Sequence, residues 1–189
     1  MNLNNAALDG EEYLHLAIDA MRREDHGAAL AYLKDGTAKF PQDARLAYML
    51  GAENAQIGLY DRAQAEMRRA IELDPSLHTA RFQLGLLQLT QGDTEGAMQT
   101  WLGLDALAEG HSLRLFRDGL AALAADRFAE AREKIQSGIK GNNFSPDLNQ
   151  DMEKLLARIP SKQEGTANGE AEGIGHVWFN AYQNTESPA

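Results

Sequence analysis

Cysteine is absent from the 189 residues, and disulfides, thiolate metal sites and thiol nucleophiles are absent with it. A chain without cysteine fits a reducing compartment. Basic charge is also scarce. Eighteen Lys+Arg stand against 28 Asp+Glu, giving a net charge of -10 and a pI near 4.9, so a phosphate backbone or an anionic lipid surface would be repelled. Neither nucleic acid nor membrane is an expected partner. The opening residues, MNLNNAALDGEEYL, contain no basic stretch and no apolar run. They therefore predict no secretory signal or membrane span there, and a cytoplasmic protein.

Catalytic signatures are missing too. No zinc-protease helix motif, nucleophile elbow, phosphate-cradling glycine loop or dinucleotide fingerprint occurs. An enzyme is not expected, and no cofactor is implied. The five histidines are dispersed; His15 and Asp19 stand one helical turn apart, a spacing that can hold a metal, but no further ligand accompanies them. They read as a solvated pair on an outer helix face, and no metal site is expected.

What is present is a period. Ala17, Gly51, Gly85 and Gly119 step by 34 residues, and so do Ala29, Ala63, Ala97 and Ala131. A third series starts at Pro41 and Pro75 and loses its proline at Glu109 and Asn143. Apolar residues between these markers recur at helical spacing, and no strand pattern competes. Each unit therefore reads as two short helices. Small residues belong where the helices cross, because a close approach needs a side chain that is nearly absent. Asp74-Pro75 ends a second helix, since proline lacks the N–H and restricts its predecessor. Turns are marked by Gly27, by Gly58 with Leu59-Tyr60-Asp61, by Gln91-Gly92-Asp93 and by Ala125-Asp126-Arg127, with glycine supplying left-handed backbone.

Read unit by unit, these positions resemble the tetratricopeptide repeat. The second unit, 44–77, matches best, with Leu50-Gly51, Tyr60, Ala63, Ala70 and Pro75. Unit 10–43 offers Tyr13, Leu16-Ala17, Ala29, Leu33 and Pro41. Unit 78–111 has Leu84-Gly85, Gly92, Ala97 and Trp101 but no terminal proline, and unit 112–145 has Gly119, Phe128, Ala131 and Ile135, with Asp118 where an apolar residue is usual. The resemblance implies an all-α fold, a right-handed superhelix (α-solenoid) of antiparallel helix pairs.

Outside the repeats, residues 1–9 form an N-terminal extension. Ser145-Pro146-Asp147 opens a further helix over about 146–159, with Ser145 as N-cap, Pro146 at the first helical position, and Leu148, Met152, Leu155, Leu156 and Ile159 as its apolar residues. It is expected to cap the array at its C-terminal end. Residues 160–175 are glycine-rich and acidic and read as a flexible linker. The tail, 176–189, carries Trp178, Phe179 and Tyr182 close together.

The resemblance also implies a function: non-catalytic protein–protein interaction, with the first helix of each unit lining a concave groove. Positions one turn apart on those helices are Leu14, Ile18 and Met21; Tyr48, Ala52 and Ala55; Phe82, Leu86 and Leu89; and Phe116, Leu120 and Leu123. Such a wall suits an apolar or amphipathic peptide, with Tyr48, Phe82 and Phe116 as anchors and Arg22, Arg45, Gln56 and Arg81 at the rim. Burial of this face by superhelical winding or dimerisation is the competing reading. Family members that clamp a C-terminal carboxylate use Lys and Asn where this chain has Leu14 and Ile18, so chaperone tails are not the expected ligand. An adaptor or assembly factor is expected, with a secretion-type client chaperone or a regulatory enzyme subunit as alternatives. A linker of about 15 residues spans about 20 Å. The tail is therefore expected either to dock in the groove, in cis or in trans with self-association, or to recruit another protein.

Overall fold

The computed structural model describes residues 8–160, and all regular structure among them is helical. The expected aromatic tail with Trp178, Phe179 and Tyr182, linker residues 161–175 and the first seven residues of the N-terminal extension lie outside the described residues. Nine α-helices are described: α1 Gly10–Arg22, α2 His26–Lys39, α3 Ala44–Gln56, α4 Tyr60–Leu73, α5 His78–Thr90, α6 Thr94–Trp101, α7 Ser112–Ala124, α8 Phe128–Gly141 and α9 Pro146–Arg158. First helices of successive units start 34 residues apart, and so do second helices.

Local chemistry accounts for the starts. Asp9 caps α1 by accepting from the Glu12 N–H at 2.8 Å while Glu12 reaches back to the Asp9 N–H, a reciprocal box. Asp25 and Asp93 cap α2 and α6 through the N–H groups of Ala28 and Gly96. Each turn within a unit has one left-handed residue: Glu24, Gly58, Gly92 and Asp126, again 34 apart. Gly27, expected in the first of these turns, instead lies in the first turn of α2. Glu24 takes the left-handed place.

The chain divides into two compact units, one running to Leu87 and the other from Gln88, with the boundary inside α5. In the first unit, Tyr13, Leu14, Ala17, Leu33, Leu46 and Leu50 form a buried core, with Phe40 and Met49 packed against it. α1 and α2 are antiparallel. Tyr13, near the start of α1, meets Phe40 at ring centroids 6.4 Å apart and accepts a hydrogen bond from Lys39, both at the end of α2. The crossing of α3 and α4 depends on Gly51: a Cβ there would come within 2.8 Å of Met67 Cγ and 3.1 Å of the Ala63 carbonyl oxygen. A glycine is needed because α4 occupies that space.

In the second unit, Gly119 on α7 has the same role, since a Cβ would come within 2.6 Å of Ile135 Cγ1. The third helix pair departs from expectation. Its second helix, α6, has only 8 residues and passes into a 3-10 segment, Leu102–Ala106. A further 34-residue series explains this: Gly36, Ala70 and Gly138 are small and buried in α2, α4 and α8, whereas the equivalent residue is Leu104. That side chain is buried whole, and with the helix-weakening Gly103 beside it the backbone tightens instead of continuing. α7 holds the segment in place. Arg114 donates to the Leu107 carbonyl at 3.0 Å, and Arg117 donates to Asp105 at 2.6 Å and to Asp118 at 2.8 Å. Asp118, unexpected in the repeat pattern, thus serves as a partner for Arg117.

α9 starts as expected, with Ser145 accepting from the Leu148 N–H at 3.4 Å and Pro146 in the first turn. Met152, Leu155 and Ile159 are buried, and Arg132 of α8 donates to the Leu156 and Ile159 carbonyls at 3.1 and 2.8 Å. These bonds satisfy carbonyls at the helix end that have no intrahelical partner.

Candidate protein-binding surface

Positions one turn apart on a helix share a face, so Leu14, Ile18 and Met21 on α1 lie in line, as do Tyr48, Ala52 and Ala55 on α3. α1 and α3 pack against each other within the first unit. Of these six, Leu14 belongs to the core. Ile18, Met21, Tyr48, Ala52 and Ala55 are each partly exposed, and Arg22 and Gln56 at the ends of the two helices are exposed. The result is a mostly apolar strip with polar ends. Burial pushes the Tyr48 phenol up to about 12, so its hydroxyl stays protonated in any ordinary buffer and can donate a hydrogen bond.

The remaining expected groove residues lie in the interior. Phe82, Phe116 and Leu120 are fully buried, and Leu86, Leu89 and Leu123 nearly so. Phe116 lies over Gly138 of α8, where a Cβ would come within 2.5 Å of the ring. Phe82 and Phe116, expected as anchors, are thus both buried in this structure. Arg45 is engaged within the protein, donating to Glu11 at 2.6 Å and to both oxygens of Asp43. Arg81 donates at 3.5 Å to the Pro75 carbonyl while its Nε is buried without a partner. Asp19 pairs with Arg23, not with His15.

With the helix pairs and their glycine crossings described, the family can be settled. The tetratricopeptide-repeat model matches residues 14–63 and 54–108, which together span half of the chain. The chain belongs to the tetratricopeptide-repeat family. Solved tetratricopeptide-like structures share the fold. One is MamA, at 23% identity, covering 74% of this chain and 80% of MamA, with a TM-score of 0.59. PilW, described as a type IV pilus biogenesis factor, is 16% identical over 93% of this chain and 76% of its own, with a TM-score of 0.61. PilF of Pseudomonas aeruginosa is 18% identical over 95% and 78%, with a TM-score of 0.60. At these identities the likeness is one of fold. No curated protein matches the sequence.

Two polar features of this tetratricopeptide protein had no signal in the repeat pattern. Glu53 on α3 is buried, and its Oε1 is 2.8 Å from Nδ1 of His26 at the start of α2, while its Oε2 has no hydrogen-bond partner. Asn54, beside it, is also buried, with no side-chain hydrogen bond among the described residues. The sequence clue was a Glu-Asn pair following the Leu50-Gly51 packing step. No group of three metal-binding side chains occurs among the described residues, and none of their helices is long and apolar enough to cross a membrane.

Proposed function

We propose that this chain is a non-catalytic adaptor or assembly factor that binds an apolar or amphipathic protein segment on the α1–α3 face of its first unit. Tetratricopeptide proteins in general mediate protein–protein interaction. The observation that carries the reading is the accessibility of Ile18, Met21, Tyr48, Ala52 and Ala55 while their counterparts Phe82, Leu86, Phe116, Leu120 and Leu123 are buried. Tyr48 is the central contact, with a flat apolar ring and a protonated hydroxyl. Arg22 and Gln56 orient the peptide at the ends of the strip. The tail segment with Trp178, Phe179 and Tyr182 supplies a competing occupant, in cis or from a second copy.

Affinity purification from the native host tests it, using the full-length chain, a variant lacking residues 161–189, and Tyr48→Ala with Ile18→Ser in each. A partner held by wild type and lost with the double substitution is the expected result, with more partner held once the tail is removed. A partner retained in full by the double variant would refute the surface.

A further inference from the structure

A second surface lies on the other side of α3. Residues Ala52 and Asn54 are separated by about 200° around the helix axis, so a face that presents Ala52 turns Asn54 away. There, α2, α3 and α4 enclose a cleft of about 440 Å³ lined by Lys34, Thr37, Asn54, Arg62, Glu66 and Arg69, with Leu50, Ala38 and Ala65 as its apolar parts. Its volume falls within the range of ligand sites.

The chemistry of the lining is specific. Lys34 and Arg62 are exposed and have no side-chain partner among the described residues. Arg69 is fixed by donating to the Pro41 carbonyl at 2.8 Å. Three cations around one cleft stand out in a chain of net charge -10. Asn54 also lines the cleft, and its amide makes no hydrogen bond within the described residues, which leaves it free to pair with a ligand. Thr37 differs, because its hydroxyl already donates to the Leu33 carbonyl at 2.8 Å. Glu66 Oε2 is buried without a hydrogen bond, and its nearest cation, Arg69, is 3.6 Å away, beyond hydrogen-bond range.

We infer that this cleft is a second binding site, taking an extended acidic peptide segment of a protein partner. The lining calls for a ligand with negative charge at the rim and both donors and acceptors along its length. Peptide carboxylates meet Lys34 and Arg62. A backbone N–H donates to Glu66 Oε2, and the Asn54 amide, which both donates and accepts, pairs with a peptide unit. A phosphate would bring its negative charge against the Glu66 carboxylate and has no peptide unit to pair with the Asn54 amide. The chain's net charge does not oppose this at short range, since charges beyond about 8 to 10 Å are screened at physiological salt.

The test is a titration of the isotope-labelled full-length protein, followed by NMR. The probes are an acetylated and amidated Ala-Glu-Ala-Glu-Ala peptide, its Gln counterpart and inorganic phosphate, at matched ionic strength. The Glu peptide is expected to shift the Asn54 side-chain amide and the Arg62 Nε signal. Lys34→Ala with Arg62→Ala should weaken its binding about tenfold or more, as should raising the salt. Two further results would refute the peptide site: equal shifts with the Gln peptide, or shifts confined to residues outside the cleft. Phosphate reproducing the whole set of shifts would also refute it, leaving a simple anion site. Tyr48→Ala, which removes the α1–α3 contact, should leave this titration unchanged, so the two surfaces fail or stand separately.

Discussion

Phe116 of α7 and Gly138 of α8 are locked face to face, the ring occupying the space a Cβ on residue 138 would need, 2.5 Å from its edge. The ring is fully buried, and its contact with Gly138 stabilises the second unit. Phe116→Ala should lower unfolding stability by about 3 to 5 kcal/mol, and Gly138→Ala by about 1 to 3 kcal/mol, both read from urea denaturation. A Phe116→Ala protein of unchanged stability would contradict this packing role.

Glu24 occupies a left-handed backbone position, φ 57°, that Gly58 and Gly92 fill in the next two units. Glu24→Gly should raise stability by about 0.5 to 1 kcal/mol, the relief of strain exceeding the added unfolded-state entropy. Asp126, with φ 55°, should gain less on Asp126→Gly, because Asp tolerates this region better than Glu does. Thermal melting of the two variants checks the order.

His26 is the one hydrogen-bond partner of the Glu53 carboxylate among the described residues, and Glu53 is 1% exposed. His26→Ala leaves that carboxylate buried and unpaired, at an expected loss of about 1 to 3 kcal/mol. Combining it with Glu53→Met, of similar volume, should recover most of the loss. If His26→Ala alone proves neutral, water reaches the carboxylate and the pair is not structural.

The hydrogen bond from Arg117 holds the Asp105 carboxyl below the usual carboxylate range. A carboxyl lowered on folding stabilises the fold above its unfolded pKa, and that contribution is lost as pH falls through the lower folded value. Arg117→Gln should therefore lower the melting temperature at neutral pH, and the gap from wild type should narrow below about pH 4. A gap that is constant with pH would assign the effect to packing alone.

Much of this was legible because repeats are quasi-one-dimensional: each helix start, each crossing glycine and each turn follows a local rule that recurs every 34 residues. Gly51 and Gly119 are the clearest cases. The face of each first helix was harder to read, since Tyr48 and Phe116 occupy equivalent positions yet one is partly exposed and the other buried. The residue opposite does not decide it: Phe116 is buried over Gly138, but Phe82, whose unit has Leu104 at that place, is buried as well. The shortening of α6 was written in the Gly36, Ala70, Leu104, Gly138 series, which is apparent only once those positions are seen to be buried. Asn54 and Glu53 carried no periodic signal, because no other unit repeats them.

The most direct test of protein binding on the first unit is site-specific photo-crosslinking in the native host, with the photoreactive residue at position 52 on α3 and, as a control, at exposed position 129 on α8. The account predicts a discrete protein adduct from position 52, lost with Tyr48→Ala, and none from position 129. Adducts of equal yield from both positions, or an adduct at 52 that survives Tyr48→Ala undiminished, would contradict it.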